Sequence, residues 1–181
     1  MGTNVEIWDC GDSEVVGKKS VALLLRRDQL LYDIRNCCYV EGHIMTESPD
    51  EVRHTVQDVG EEGNVDRVTR VLDLAHADIV ERLYPFTERE IRNEVIIDRL
   101  REKKLYAVMM NVPEGFSQTT VNLLGKLVHE LLVYTAVCDW LSITNPPKAD
   151  VWRSKAEAAL ARIKEVKDSR RGHRRIRPHW L

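Results

Sequence analysis

Residues 116–147 read "FSQTTVNLLGKLVHELLVYTAVCDWLSITNPP", and this stretch decides the fold class. Ser117 or Thr119 is a candidate N-cap, since a hydroxyl there accepts from an orphan amide of the first turn. Asn145-Pro146-Pro147 terminates the segment, because a residue before proline is pushed out of the helical region. Between these signals lies the longest helix of the chain. Its first half is amphipathic, with Asn122, Lys126 and His129 on one stripe. The same stripe continues as Val133, Ala136 and Trp140, so the wet face turns apolar midway. The second half, "LLVYTAVC", is apolar almost all round. Such a helix is either central in its fold or covered by another subunit. Lys126, His129, Glu130 and Asp139 argue against a membrane span.

Downstream, residues 149–168 predict a second helix with Trp152, Ala156, Ala159, Leu160, Ile163 and Val166 as its stripe. Two long helices joined by a Pro-Pro turn should pack as an antiparallel pair. Upstream, helical periodicity runs from Lys18 to about Tyr39 through Val21, Leu24, Leu31, Ile34 and Cys38, with Gly42 as its stop. "SPDE" predicts a short helix capped by Ser48, with Pro49 at the first helical position and Glu51 completing a capping box. Its stripe is Val52, Val56 and Val59, and Gly60 stops it. Asn64 should cap the next helix, which repeats Val65, Val68, Leu72, Ala75, Ile79 and Leu83 and stops before Pro85. Thr87 and Glu90 could open another helix. "LYAVMMNVP" instead alternates with strand period, so residues 94–99 and 105–112 are expected to form a β-hairpin. The fold class expected is mainly α: a bundle of four to five helices with one β-hairpin insertion, covering residues 18–168. Residues 1–17 are read as an N-terminal arm, with Ile7 and Trp8 as its apolar contacts.

The composition agrees with a helical, folded domain. The 181 residues are 43% hydrophobic and 31% charged, with few Gly and Pro, and Leu, Ala, Arg and Glu favour helices. No charged leader with an apolar stretch opens the chain, so no secretory signal is expected. The cysteines, Cys10, Cys37, Cys38 and Cys138, lack zinc-site spacing and read as buried reduced thiols. No phosphate-cradling glycine loop, GxSxG or HExxH motif occurs. His76 in "LAHAD" and His129 read as hydrogen-bonded boundary histidines, and Asp139 as a solvated charge or cap. No catalytic residue, metal or cofactor is expected.

The unusual feature is the end, "KDSRRGHRRIRPHWL". Six cations against one aspartate give it a net charge of +5 on a chain whose total is −2. Three readings are open: a solvated terminus, a phosphate-binding arm, and a protein-docking arm. Arg170, Arg171, Arg174, Arg175, Arg177, Trp180 and Leu181 are its candidate partner-binding residues, since arginine and tryptophan dominate interface hot spots. Residues 169–181 are read as a basic C-terminal arm.

Three stretches, "CYVEGHIM", "GNVDRVTRVLDLAHADIVERLYPFT" and the 116–147 segment extended to Trp152, resemble a Bacteroidales family of prophage structural proteins of about this length. The resemblance covers roughly residues 30–180. The helix, Pro turn and following helix "AEAALARI" are also similar to head–tail connector (neck adaptor) proteins of tailed phages. That resemblance implies small helical subunits in a ring below the portal, docking by an extended C-terminal tail. It carries over no catalytic residue. The expected function is a non-enzymatic, ring-forming connector subunit. It would be cytoplasmic during assembly and then part of the virion. Its partners would be the portal or neighbouring neck proteins, a DNA contact in the channel and no membrane. The alternative is a nucleic-acid-binding accessory or regulatory protein using the basic tail.

Overall fold

The computed structural model describes residues 18–46, 48–88 and 103–169. In chain order the elements are β1 (Lys18–Arg26), α1 (Arg27–Ile44), α2 (Asp50–Gln57), α3 (Glu62–Arg82), β2 (Leu105–Pro113), α4 (Gln118–Thr144) and α5 (Pro146–Ser169), with one 3₁₀ turn at Asp58–Gly60. The architecture is mainly α, five α-helices among the described residues, with one two-stranded antiparallel sheet. The expected arm at 1–17, the expected arm at 169–181 apart from Ser169, which ends α5, and the expected strand at 94–99 lie outside the described residues.

α4 stands in the middle and touches α1, α2, α3, α5 and β1. Ser117 caps it, the hydroxyl accepting from the Thr120 amide at 3.2 Å. Leu131, Leu132, Ala136 and Val137 are buried, and Thr135 and Cys138 are half-buried. The stripe that turns from wet to dry faces α1 and α2. His129 meets Asp33 of α1 at 2.8 Å, and Trp140 donates its indole N–H to the Val56 carbonyl at 2.9 Å. By length and composition α4 could cross a bilayer. In this fold 56% of its most apolar window is buried against the other elements. α5 returns along it as an antiparallel partner, with Tyr134 and Trp152 edge to face and the Cys138 thiol 3.4 Å from the Ala149 carbonyl.

The expected helix from Lys18 is corrected. Lys18–Arg26 is a strand, and the helix begins only at Arg27. Val21 to Leu25 is a continuous apolar run, which periodicity alone cannot divide between a buried strand and a buried helix. Pairing with β2 decides it: Lys18 lies opposite Pro113 and Arg26 opposite Leu105. The pairs Leu23–Val108 and Leu25–Tyr106 put four buried side chains on one face of the sheet. The strand expected at 105–112 is therefore present, but the partner it shows is β1, far away in sequence.

Helix starts slip by small steps. α2 begins at Asp50 with Pro49 in the cap position and no side-chain cap, so Ser48 does not cap it. α3 begins at Glu62. Asn64 lies inside it and donates its amide to the Asp58 carbonyl at 2.8 Å. Thr87 caps no described helix; its hydroxyl donates to the Val80 carbonyl at 2.6 Å. Gly42 does not stop α1, which runs on to Ile44. Its role is close approach. A Cβ there would sit 2.7 Å from Gln57 Cγ and 2.9 Å from the Arg53 carbonyl oxygen, so the missing side chain is what lets α1 and α2 touch.

Two substitutions test this packing. Leu132→Ala should cost about 2–5 kcal/mol, as truncation of a fully buried leucine does. Gly42→Ala should cost about 1–3 kcal/mol through overpacking against backbone. Urea unfolding measures both, and a loss under about 0.5 kcal/mol at Leu132 would remove α4 from the centre of the core.

Candidate functional site

The tail residues singled out from the sequence, Arg170 to Leu181, lie outside the described residues. The place where the chain leaves for them is described. Near the end of α5, Lys167 donates from Nζ to the Arg82 carbonyl at 2.6 Å and the Tyr84 carbonyl at 3.0 Å. A cation thus satisfies orphan carbonyls at the C-terminus of α3, and it pins the end of α5 beside Arg82.

Arg82 also stands at one end of a groove. A concavity of about 670 Å³ opens between α3, α4 and α5, with Val71, Leu74, Ala75, Leu131, Ala156 and Leu160 among the residues that line it. Leu74 is 73% exposed. It lies off the Val68–Leu72–Ile79 stripe that α3 buries, and an unburied leucine on the wet side of an amphipathic helix was the signal that the sequence reading passed over. The rim is charged. Asp78 pairs with Arg82 at 2.5 Å, and Asp139 takes Arg67 bidentately at 2.9 and 3.2 Å. Asp139 is therefore an interhelical ion pair rather than the solvated charge or cap expected. Glu157 has no ion-pair partner among the described residues. An apolar floor with a mixed rim can bind a protein segment; Cys138 and Ser142, also in its lining, donate to the backbone carbonyls of Ala149 and Asp139.

His76 and Glu41 serve the fold. His76 Nε2 lies 3.0 Å from the Ala107 carbonyl, with its ring edge-on to Tyr106, so it is the hydrogen-bonded boundary histidine expected. Glu41 is buried, accepts from the Trp152 indole at 3.0 Å, and lies 3.3 Å from the Lys148 ammonium. Among the described residues no three His, Cys, Asp or Glu side chains converge as metal ligands. Burial pushes the Cys38 thiol up to about 12, and holds Cys37 and Cys138 above the usual thiol range. Such thiols are poor nucleophiles.

No protein-family model, curated protein or solved structure matches the chain.

The Cys38 shift has a sign that can be checked. A thiol is neutral while protonated, and the folded state holds this proton more tightly than the unfolded one. The stabilisation is complete below pH 9 and is lost as pH rises toward 12. Cys38→Ala should remove up to about 1.4 kcal/mol per pH unit from the alkaline slope of unfolding free energy. Urea titrations at pH 7, 9 and 10 read that slope; an unchanged slope would place Cys38 in water.

Proposed function

We propose that the chain is a non-enzymatic assembly subunit, a ring-forming head–tail connector of a phage or prophage virion. The observation that carries the reading is the α3–α4–α5 groove, an apolar recess on a chain that also holds a segment of arginines and large apolar residues at 170–181. That segment carries the apolar residues Ile176, Trp180 and Leu181, interspersed in sequence with Arg170, Arg171, Arg174, Arg175 and Arg177. The occupant of the groove is this segment from a neighbouring copy. A segment of one copy seated in the groove of the next makes a head-to-tail contact, which closes into a ring when the rotation permits.

Reach and charge support the pairing. Twelve residues, the length of 170–181, can span at most about 40 Å, whereas the groove wall from Val71 to Arg82 runs about 16 Å along α3. Lys167 fixes the end of α5 beside Arg82, and a segment of this length is long enough to enter the groove of a neighbouring copy. Glu157 on the rim can pair with an incoming arginine, and Trp180 is the type of anchor that fills a hydrophobic slot. The portal or neighbouring neck proteins are the further partners of this reading.

Light scattering on the full chain, across concentration, should detect discrete oligomers above the 20.9 kDa monomer mass. Deleting residues 170–181 and, separately, Leu74→Asp should each abolish them. Leu74→Asp should leave stability within about 0.5 kcal/mol, because Leu74 is 73% exposed. Oligomers that persist in both variants would refute the pairing.

A further inference from the structure

The fold gathers cations that the sequence scatters. Arg26 and Arg27 at the passage from β1 to α1, Arg35 two turns further, and Lys103 and Lys104 before β2 surround one cleft of about 600 Å³, with Asp28 as the acid in its lining. Part of this charge is answered locally. Arg26 holds Asp28 at 2.6 Å, and Lys103 holds Asp73 at 2.9 Å. Arg35 donates to the Gly60 carbonyl at 3.0 Å, a neutral acceptor. Arg35 and Lys104 thus have no carboxylate partner among the described residues. The cations from Arg27 to Arg35 cover about 12 Å of helix axis. That length exceeds a single anion and fits a short run of successive phosphates along one strand.

The cleft continues into an aromatic stripe. Tyr32, Arg35, Tyr39 and His43 follow at steps of three, four and four, so they share one face of α1. Tyr32 is 65% exposed and Tyr39 56%. The Tyr39 and His43 rings lie 6.1 Å apart and within 8° of parallel. These rings add little to the core and stand about 10 Å apart along the axis, room for two or three bases. Cations beside exposed aromatic faces are the combination that holds unpaired bases by stacking and their backbone by charge.

We propose that this cleft and the outer face of α1 bind single-stranded nucleic acid, with phosphates on Arg35 and Lys104 and bases on Tyr32 and Tyr39. The inference is independent of the groove and of the assembly reading. Duplex is disfavoured because its bases are already stacked and offer no free face to tyrosine.

The test is fluorescence anisotropy of a labelled mixed-sequence 12-nucleotide strand with the full chain, at several salt concentrations. Tyr32→Ala and Tyr39→Ala should each weaken binding at least about fivefold. Lys104→Ala should lower the slope of log affinity against log salt by roughly 0.7. These side chains are exposed, so melting temperatures should not move, and a variant that does melt early is replaced by Tyr→Ser. A further full-length variant, with Arg174, Arg175 and Arg177 all changed to Ala, separates the tail. If it alone loses binding while the tyrosine variants bind normally, the α1 site is refuted. Three other results also overturn it: equal binding of duplex, equal binding of poly-glutamate, and no binding at 50 mM salt.

Discussion

A helix of 27 residues that is apolar on nearly every side in its second half must be wrapped. That constraint organises the molecule. α5 covers one flank of α4, α1 and α2 another, α3 a third, and β1 reaches it as well. Each cover is fixed by one polar contact that would be costly if misplaced: Trp140 to the Val56 carbonyl, His129 to Asp33, and Asp139 to Arg67. The apolar area supplies most of the stabilisation, and these directional bonds set which helix lies where. Trp152 to the buried Glu41 does the same between α5 and α1.

Wrapping is incomplete on one side, and that side holds the groove. Leu131 belongs to the core and also lines the groove, so the same helix that needs covering offers its remaining edge to the surface. The cleft at the β1–α1 passage is unlike it in every respect. It is rimmed by cations, Arg26, Arg27, Arg35, Lys103 and Lys104, and it sits at the Arg26–Leu105 end of the sheet. A molecule with one apolar recess and one cationic recess has two chemically distinct surfaces for partners.

Much of the fold was legible in the sequence where signals are local. Ser117, the Pro-Pro turn and the length of the apolar run identify α4 without help from the rest of the chain. The α3 stripe from Val68 to Leu83 is equally plain. What failed was non-local. "VALLL" reads as helix or strand until the strand beside it is known, and Tyr106 to Val112 show their period but not their partner. Gly42 looked like a stop because a glycine's value in close packing depends on Gln57 and Arg53, which no periodicity reveals. The cationic cleft was invisible for the same reason. Arg26, Arg27 and Arg35 look like the wet face of one helix, and Lys103 and Lys104 like a charged turn, until β2 is laid against β1. The basic tail, in contrast, was legible from composition alone.

The pairing of β1 with β2 bears on how the chain is made. Its innermost pair, Arg26 with Leu105, closes a loop of about eighty residues, at a chain-entropy cost of about 4 kcal/mol. The α4–α5 pair needs only a tight turn. During synthesis Val21 to Leu25 emerge long before Leu105 exists. At about 5–20 residues per second this apolar stretch waits roughly 4–16 s without its partner strand. The two lysines before it and the two arginines after it flank the stretch for that whole interval, and like charges repel a second nascent copy. Arg26 and Arg27 therefore have a use before they have a cleft: they keep an unpaired strand from pairing with the wrong chain.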